Sequence, residues 1–222
     1  PRTYEIARDI REHFPEIKII MGNIHPSVFY KETLEKGMAD AVVLGEGEIS
    51  AVNLVKAMAA GGNLSEVPGI AYLEDGKAVA NEHEEYVTDL DTLPFPAWHL
   101  FPTDRYRIFN FARVRDPGTL VLGSRGCPFN CTFCSLKIMG RKRRRRSPEN
   151  IADEFEYLHD RFGYVQPSFI DPIFPFSKKE GVAFSDELIR RGLHRKMIWV
   201  TETRVDLVEV ELLKAMRGAG LR

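Results

Sequence analysis

All three cysteines of this 222-residue chain fall within eight residues, Cys127-Pro128-Phe129-Asn130-Cys131-Thr132-Phe133-Cys134. At the spacing C-x3-C-x2-C, three thiolates can curl round one face of a cubane and ligate three irons of a [4Fe–4S] cluster. Electron-transfer clusters ordinarily take four cysteines, so a three-cysteine cluster leaves one iron open to a small molecule. Two other readings compete. Structural zinc takes four ligands, yet no fourth cysteine exists and no histidine follows within two dozen residues. Inert core cysteines would not gather in a polar loop punctuated by glycine and proline. The cluster reading accounts for the pattern best.

Upstream, Thr119-Leu120-Val121-Leu122-Gly123 is a short apolar, β-branched run and reads as a buried strand. Ser124-Arg125-Gly126 breaks it, so the cysteines follow just past the carboxyl end of a strand, where barrels and open α/β sheets place their chemistry. The string from Gly123 to Cys134 resembles the signature of the radical S-adenosylmethionine (radical SAM) enzymes. The resemblance implies that the methionyl amine and carboxylate of S-adenosylmethionine chelate the open iron, and that one-electron reduction releases a 5′-deoxyadenosyl radical. It makes Cys127, Cys131 and Cys134 the metal-binding and catalytic set and places Phe133 near the adenine.

Composition is that of an ordinary globular protein, 44% hydrophobic and 28% charged. A net charge of −1 supplies no global field for nucleic acid or an acidic membrane. No apolar run is long enough to span a bilayer and no signal peptide is present. An oxygen-sensitive cluster without spare cysteines for disulfides points to a reducing cytoplasm. The chain opens on Pro1 and stops at Gly220-Leu221-Arg222, just after a helix. We therefore expect an internal piece of a longer enzyme, inactive when isolated.

Hydrophobic spacing predicts helices over 4–14, 27–36 and 50–60, with strands over 17–22 and 39–45 between them. That order means a parallel sheet flanked by helices. Two loops follow the strands, Gly22-Asn23-Ile24-His25-Pro26-Ser27 and Gly45-Glu46-Gly47-Glu48. On spacing alone they are better read as tight turns with Ser27 and Ser50 as helix caps than as ligand loops. The same strings, however, resemble the second half of the cobalamin-binding domain fused to some radical SAM enzymes. That resemblance implies that Gly22, His25, Ser27, Gly45, Glu46 and Gly47 surround the nucleotide tail of cobalamin. His25 is not read as a cobalt ligand, because the Asp-x-His-x-x-Gly loop that supplies one in the family is absent here.

Residues 69–80 read as a β-hairpin over Asp75-Gly76. The segment 89–102 holds Pro94, Pro96 and Pro102 and reads as an extended connector, with Trp98 and His99 as packing anchors. It resembles the interdomain linker of the fused family. After the cysteines comes a run of six basic residues, 141–146. It lacks the interleaved aromatics of a nucleic-acid groove and is open to reading as a solvated loop. The resemblance implies instead that Arg144 and Arg146 face cofactor carboxylate or substrate.

Ser147 and Pro148 open a helix that closes at Gly163. Strands over 167–171 and 197–201 and helices over 178–191 and 207–216 follow. Asp171 ends one strand, and Glu202 and Arg204 end the next, all on the presumed catalytic rim. The reading is α/β throughout. Residues 1–67 would be the rear half of a flavodoxin-like cobalamin-binding domain, 68–118 a hairpin and linker, and 119–222 the first half of a radical SAM partial (β/α)6 barrel. The resemblance implies a radical SAM enzyme using a [4Fe–4S] cluster, S-adenosylmethionine and cobalamin. It would methylate an unactivated carbon of a small-molecule substrate and draw electrons from a donor such as a flavodoxin or ferredoxin. A radical tRNA-modifying methylthiotransferase is the alternative, although such enzymes carry front-domain cysteines absent here. A metal-bearing nucleic-acid-binding module using the basic run is the alternative from another class.

Overall fold

Tyr4 and Ala7 lie on the inward face of α1 (Arg2–His13), whose other side is charged and exposed. This computed structural model describes residues 2–82, 86–106, 113–134 and 140–222, and it divides into two compact units, Pro1–Tyr86 and Val87–Arg222.

In the first unit α1 leads through β1 (Ile20–Met21), α2 (Ile24–Val28) and α3 (Tyr30–Glu35) to β2 (Ala41–Val43), followed by α4 (Ser50–Ala59). The hairpin β3 (Ile70–Glu74) and β4 (Lys77–Ala80) then completes a four-stranded sheet in the order β1-β2-β3-β4. β1 and β2 are parallel, whereas β3 and β4 run antiparallel, so the sheet is mixed rather than wholly parallel. The hairpin read as connecting sequence is thus part of this sheet. Its turn is Asp75-Gly76, both with positive φ, the geometry that Asp-Gly supplies. Alternation sorts β2 between two cores: Val42 packs with Tyr4, Met21 and Leu34, while Ala41 and Val43 pack with Leu54, Ile70 and Tyr72.

The predicted helix over 27–36 is two helices, α2 and α3, meeting at Phe29. Asn23, in the left-handed region at φ 73°, caps α2 by accepting the Ile24 N–H at 2.6 Å. Ser27 therefore lies inside that helix, and Ser50 is the first residue of α4 rather than its cap.

The second unit begins with 3-10 turns at Leu90–Thr92, Trp98–Leu100 and Thr103–Arg105 where an extended connector was expected. Next come β5 (Gly118–Val121), β6 (Ser124–Arg125), β7 (Arg144–Arg145), α5 (Pro148–Phe162), β8 (Gln166–Phe169), α6 (Lys178–Arg190), α7 (Leu193–Lys196) and α8 (Val210–Gly218). β5 and β8 are parallel neighbours, and the predicted strand near 197–201 appears as a single parallel bridge from Ser168 to Val200. A further parallel bridge joins Trp199 to Leu221. Ser147 caps α5 with Pro148 in its first turn, and Gly163 ends it at φ 71°.

The core between this sheet and the helices is aromatic. Phe169 stacks on Phe174 at 3.9 Å, and Phe184 meets Trp199 edge-on at 5.2 Å. Such pairs add about 1 kcal/mol each beyond the area they bury. They fix β8 and the segment after it. Among the described residues no helix is long and apolar enough to cross a membrane.

Candidate active site

The cysteine loop hangs from a two-stranded ribbon. Ser124 and Arg125 of β6 pair antiparallel with Arg145 and Arg144 of β7, and Gly140 O accepts the Cys127 N–H at 3.2 Å. Gly126 makes the crossing possible. Its φ is 78°, and a Cβ there would stand 2.5 Å from the Lys142 carbonyl oxygen. Both ends of the loop are tied before any ligand is considered.

Cys127, Cys131 and Cys134 are free and half-buried. Among the described residues no three His, Cys, Asp or Glu side chains converge on a single ion. Three soft thiol donors on one short loop, with no nitrogen or oxygen ligand added, suit an iron–sulfur cluster better than one small ion. Phe133 projects into solvent, 91% exposed.

Asp171 follows β8 and is buried, but it faces the start of the loop. Its Oδ2 accepts the Gly123 N–H at 2.8 Å and its Oδ1 accepts the Ser124 hydroxyl at 2.6 Å. Burial pushes its carboxyl up to about 6, against the pull of the Ser124 and Gly123 hydrogen bonds. Asp171, expected on the rim, holds the strand-to-loop turn through these two bonds. Glu202 is exposed, and its backbone carbonyl accepts the Phe174 N–H at 3.0 Å.

Arg204 reaches the loop. Its guanidinium lies 4.0 Å from the Phe129 ring centre, and Nη1 is 3.6 Å from Cys131 Sγ. Nε and Nη2 donate to Asp206 Oδ1 and Oδ2 at 3.0 and 2.9 Å, and the same contact holds the Asp206 carboxyl below its usual range.

The basic run is split: Arg141, Lys142 and Arg145 are exposed, whereas Arg143, Arg144 and Arg146 turn inward. Arg143 pairs with Glu180 at 2.7 Å and lies over Phe176. Arg144 is buried and donates to Val87 O at 2.9 Å. Arg146 pairs with the buried Glu154, donates to Asn150 Oδ1 at 2.6 Å and to Leu122 O at 3.0 Å, and lies over Phe95. Trp98 donates to Glu154 Oε1 at 3.3 Å and packs on the aromatic core, as an anchor should. Arg146 thus ties the ribbon to α5, and it also lines a cavity of about 420 Å3 with Asp91, Arg145 and Lys179.

In the first unit Ser27 joins the two glycine loops. Its hydroxyl donates to Asn23 O at 2.7 Å and accepts the Gly45 N–H at 3.0 Å. A cavity of about 670 Å3 is lined by Tyr4, Met21, Gly22, Asn23 and His25, among others. His25 contacts Tyr4 Oη at 3.5 Å and pairs with the Phe29 ring at 5.0 Å. Gly45, Glu46 and Gly47 are half-buried in the second loop, and a Cβ on Gly47 would press on Val43 Cγ1 at 3.3 Å.

Residues 121–222 match the radical SAM superfamily. The chain belongs to that superfamily. It is 32% identical over 218 residues to an uncharacterized methyltransferase of Pyrococcus horikoshii, covering 97% of this chain and 45% of the relative. It is 36% identical over 231 residues to the anaerobic magnesium-protoporphyrin IX monomethyl ester cyclase of Rubrivivax gelatinosus, covering 99% and 39% respectively. The cobalamin-dependent S-adenosylmethionine radical enzyme OxsB, solved with aqua-cobalamin and S-adenosylmethionine bound, superimposes with a TM-score of 0.80. That match covers 99% of this chain and 32% of OxsB at 20% identity. The chain thus spans less than half the length of these relatives.

For a radical SAM chain, three residues here were not apparent from sequence: Phe129, Asp206 and the Arg146 partner Glu154. Asn150 and Glu154 stand four and eight residues after Arg146, one helical face apart, and that spacing is a usable signal.

Proposed function

We propose that this chain is the part of a cobalamin-dependent radical SAM enzyme that carries the [4Fe–4S] loop, and that the whole enzyme methylates an unactivated carbon of a small molecule. The observation carrying the reading is the loop itself: three free, half-buried cysteines on one segment tied at both ends beyond a parallel strand. When bound, the cluster supplies one electron to S-adenosylmethionine. The protein holds and shields. Cys127, Cys131 and Cys134 are the ligands, Phe133 offers an exposed ring to the adenine, and Glu202 and Arg204 stand on the rim.

The first unit fits the rear half of a flavodoxin-like cobalamin-binding domain. The cavity edged by Gly22 and His25 would admit the nucleotide tail, with Ser27 setting the distance to Gly45-Glu46-Gly47. Residues 119–222 fit the first half of a partial (β/α)6 barrel, joined to the front by the part of 68–118 that follows the hairpin. A flavodoxin- or ferredoxin-type donor in a reducing cytoplasm would supply the electron. Ring closure is the second reading, favoured by the 36% identity to the cyclase.

The test is anaerobic reconstitution with iron and sulfide. About four irons should bind per chain, and alanine at Cys127, Cys131 or Cys134 should abolish the cubane spectrum. One bound zinc and no cluster would refute the reading. Isotope-labelled S-adenosylmethionine given to the longer protein separates methyl transfer from cyclisation.

A further inference from the structure

Arg204 is unusually constrained for a half-exposed arginine. A guanidinium has five N–H donors in a fixed planar fork. Two edges of this fork, Nε and Nη2, are engaged by the two oxygens of Asp206 at 3.0 and 2.9 Å. The face rests on Phe129, 4.0 Å from the ring centre. Plane and rotation are therefore both set, and the remaining nitrogen, Nη1, lies 3.6 Å from Cys131 Sγ. Phe129 is itself backed by Phe176 at 5.6 Å, and Phe176 lies under Arg143, which Glu180 holds at 2.7 Å. The pair Phe129 and Phe176 thus has an arginine at each end, and an acidic partner anchors each arginine.

We infer that Arg204 is a positioning residue for the Cys131 sulfur: seated by Asp206 and Phe129, it directs an N–H at that sulfur and raises the reduction potential of the cluster. The inference rests on the cluster reading above. A donor and a positive charge beside a ligating sulfur favour the reduced, more negative state, and hydrogen bonds to sulfur and net charge are known controls of cluster potential. Lysine keeps the charge but not the bidentate plane, so it cannot hold the same direction.

The test compares wild type, Arg204→Gln and Arg204→Lys after anaerobic reconstitution. Iron per chain is counted, and the midpoint potential is then titrated without S-adenosylmethionine, followed by the paramagnetic signal of the reduced cluster. At equal iron content, R204Q should show about a tenfold higher oxidised-to-reduced ratio at a fixed applied potential, a fall of about 59 mV for one electron. R204K should fall between. An unchanged potential in R204Q at wild-type iron content would overturn the inference. Should R204Q fail to load iron, R204K decides: a lowered potential supports the role, and an unchanged one removes it. Loss of iron from both variants would replace the tuning role with a structural one. If wild type itself takes up no cluster, the failure belongs to the reading under Proposed function and is seen as such in the iron count.

Discussion

The carboxylate of Asp171 accepts the hydroxyl of Ser124 at 2.6 Å, just past the carboxyl ends of the parallel strands β8 and β5. Burial raises its carboxyl to about 6 from an ordinary 3.8, so the folded protein holds this proton more tightly than the unfolded chain. Stability linked to it is fully present below pH 3.8 and is lost as pH rises through 6. The shift corresponds to about 3 kcal/mol. Urea unfolding of wild type and Asp171→Asn at pH 4.5 and 7 should show the wild type losing stability relative to the variant across this window. Parallel curves would show that Asp171 titrates normally.

Arg191, just after α6, pairs with Glu187 of its own helix and with Asp153 and Glu156 of α5. Charged hydrogen bonds of this kind contribute about 2 kcal/mol when one partner is lost. Arg191→Ala should lower unfolding stability by roughly that amount without touching the cysteine loop. Glu187, drawn down to about 2 first by Arg190 and also by Arg191, gives the opposite pH sign to Asp171. Its contribution is present above pH 4.5 and disappears as pH falls toward 2, which Glu187→Gln would make flat.

Gly126→Ala should separate folding from metal uptake. The added Cβ meets the Lys142 carbonyl at 2.5 Å in a left-handed backbone, so the ribbon must open. The helices do not depend on the ribbon, so far-UV circular dichroism should remain that of wild type. Iron bound after reconstitution should fall several-fold. Full uptake would mean that the ribbon does not set the loop.

Gly181 of α6 faces Leu212 of α8. A Cβ there would sit 2.5 Å from Leu212 Cδ1 and 2.8 Å from Pro175 Cγ. Overpacking costs about 1–3 kcal/mol, offset by up to about 1 kcal/mol of helix propensity. Gly181→Ala should therefore destabilise modestly. Combined with Leu212→Ala it should cost less than the two changes added, a coupling that a double-mutant cycle would read.

Local signals were legible wherever one residue type dictates one geometry. Ser147, Pro148 and Gly163 bound α5, and Asp75-Gly76 turns the hairpin. Pairings across the chain were not. Two-residue strands carry no alternation, and β7 lies inside an arginine run, so β6 against β7 leaves no pattern to read. Asp171 read as a rim residue because its position suits one, and its partners lie 47 and 48 residues away. The break at Phe29 is not marked in the sequence by a glycine or proline, although α2 buries none of its residues and α3 buries Thr33 and Leu34.

The ribbon beneath the cysteines also has a consequence for the order of assembly. Loop closure is an entropic cost that grows slowly with length, and here hydrogen bonds between Cys127 and Gly140 and along β6–β7 meet it without metal. These bonds use protein groups only. The expectation is therefore that iron arrives at a folded chain instead of templating it, unlike zinc fingers that stay unfolded until metallated. A chelator should therefore strip the metal and leave a protein whose helices melt at nearly their former temperature, ready to be filled again.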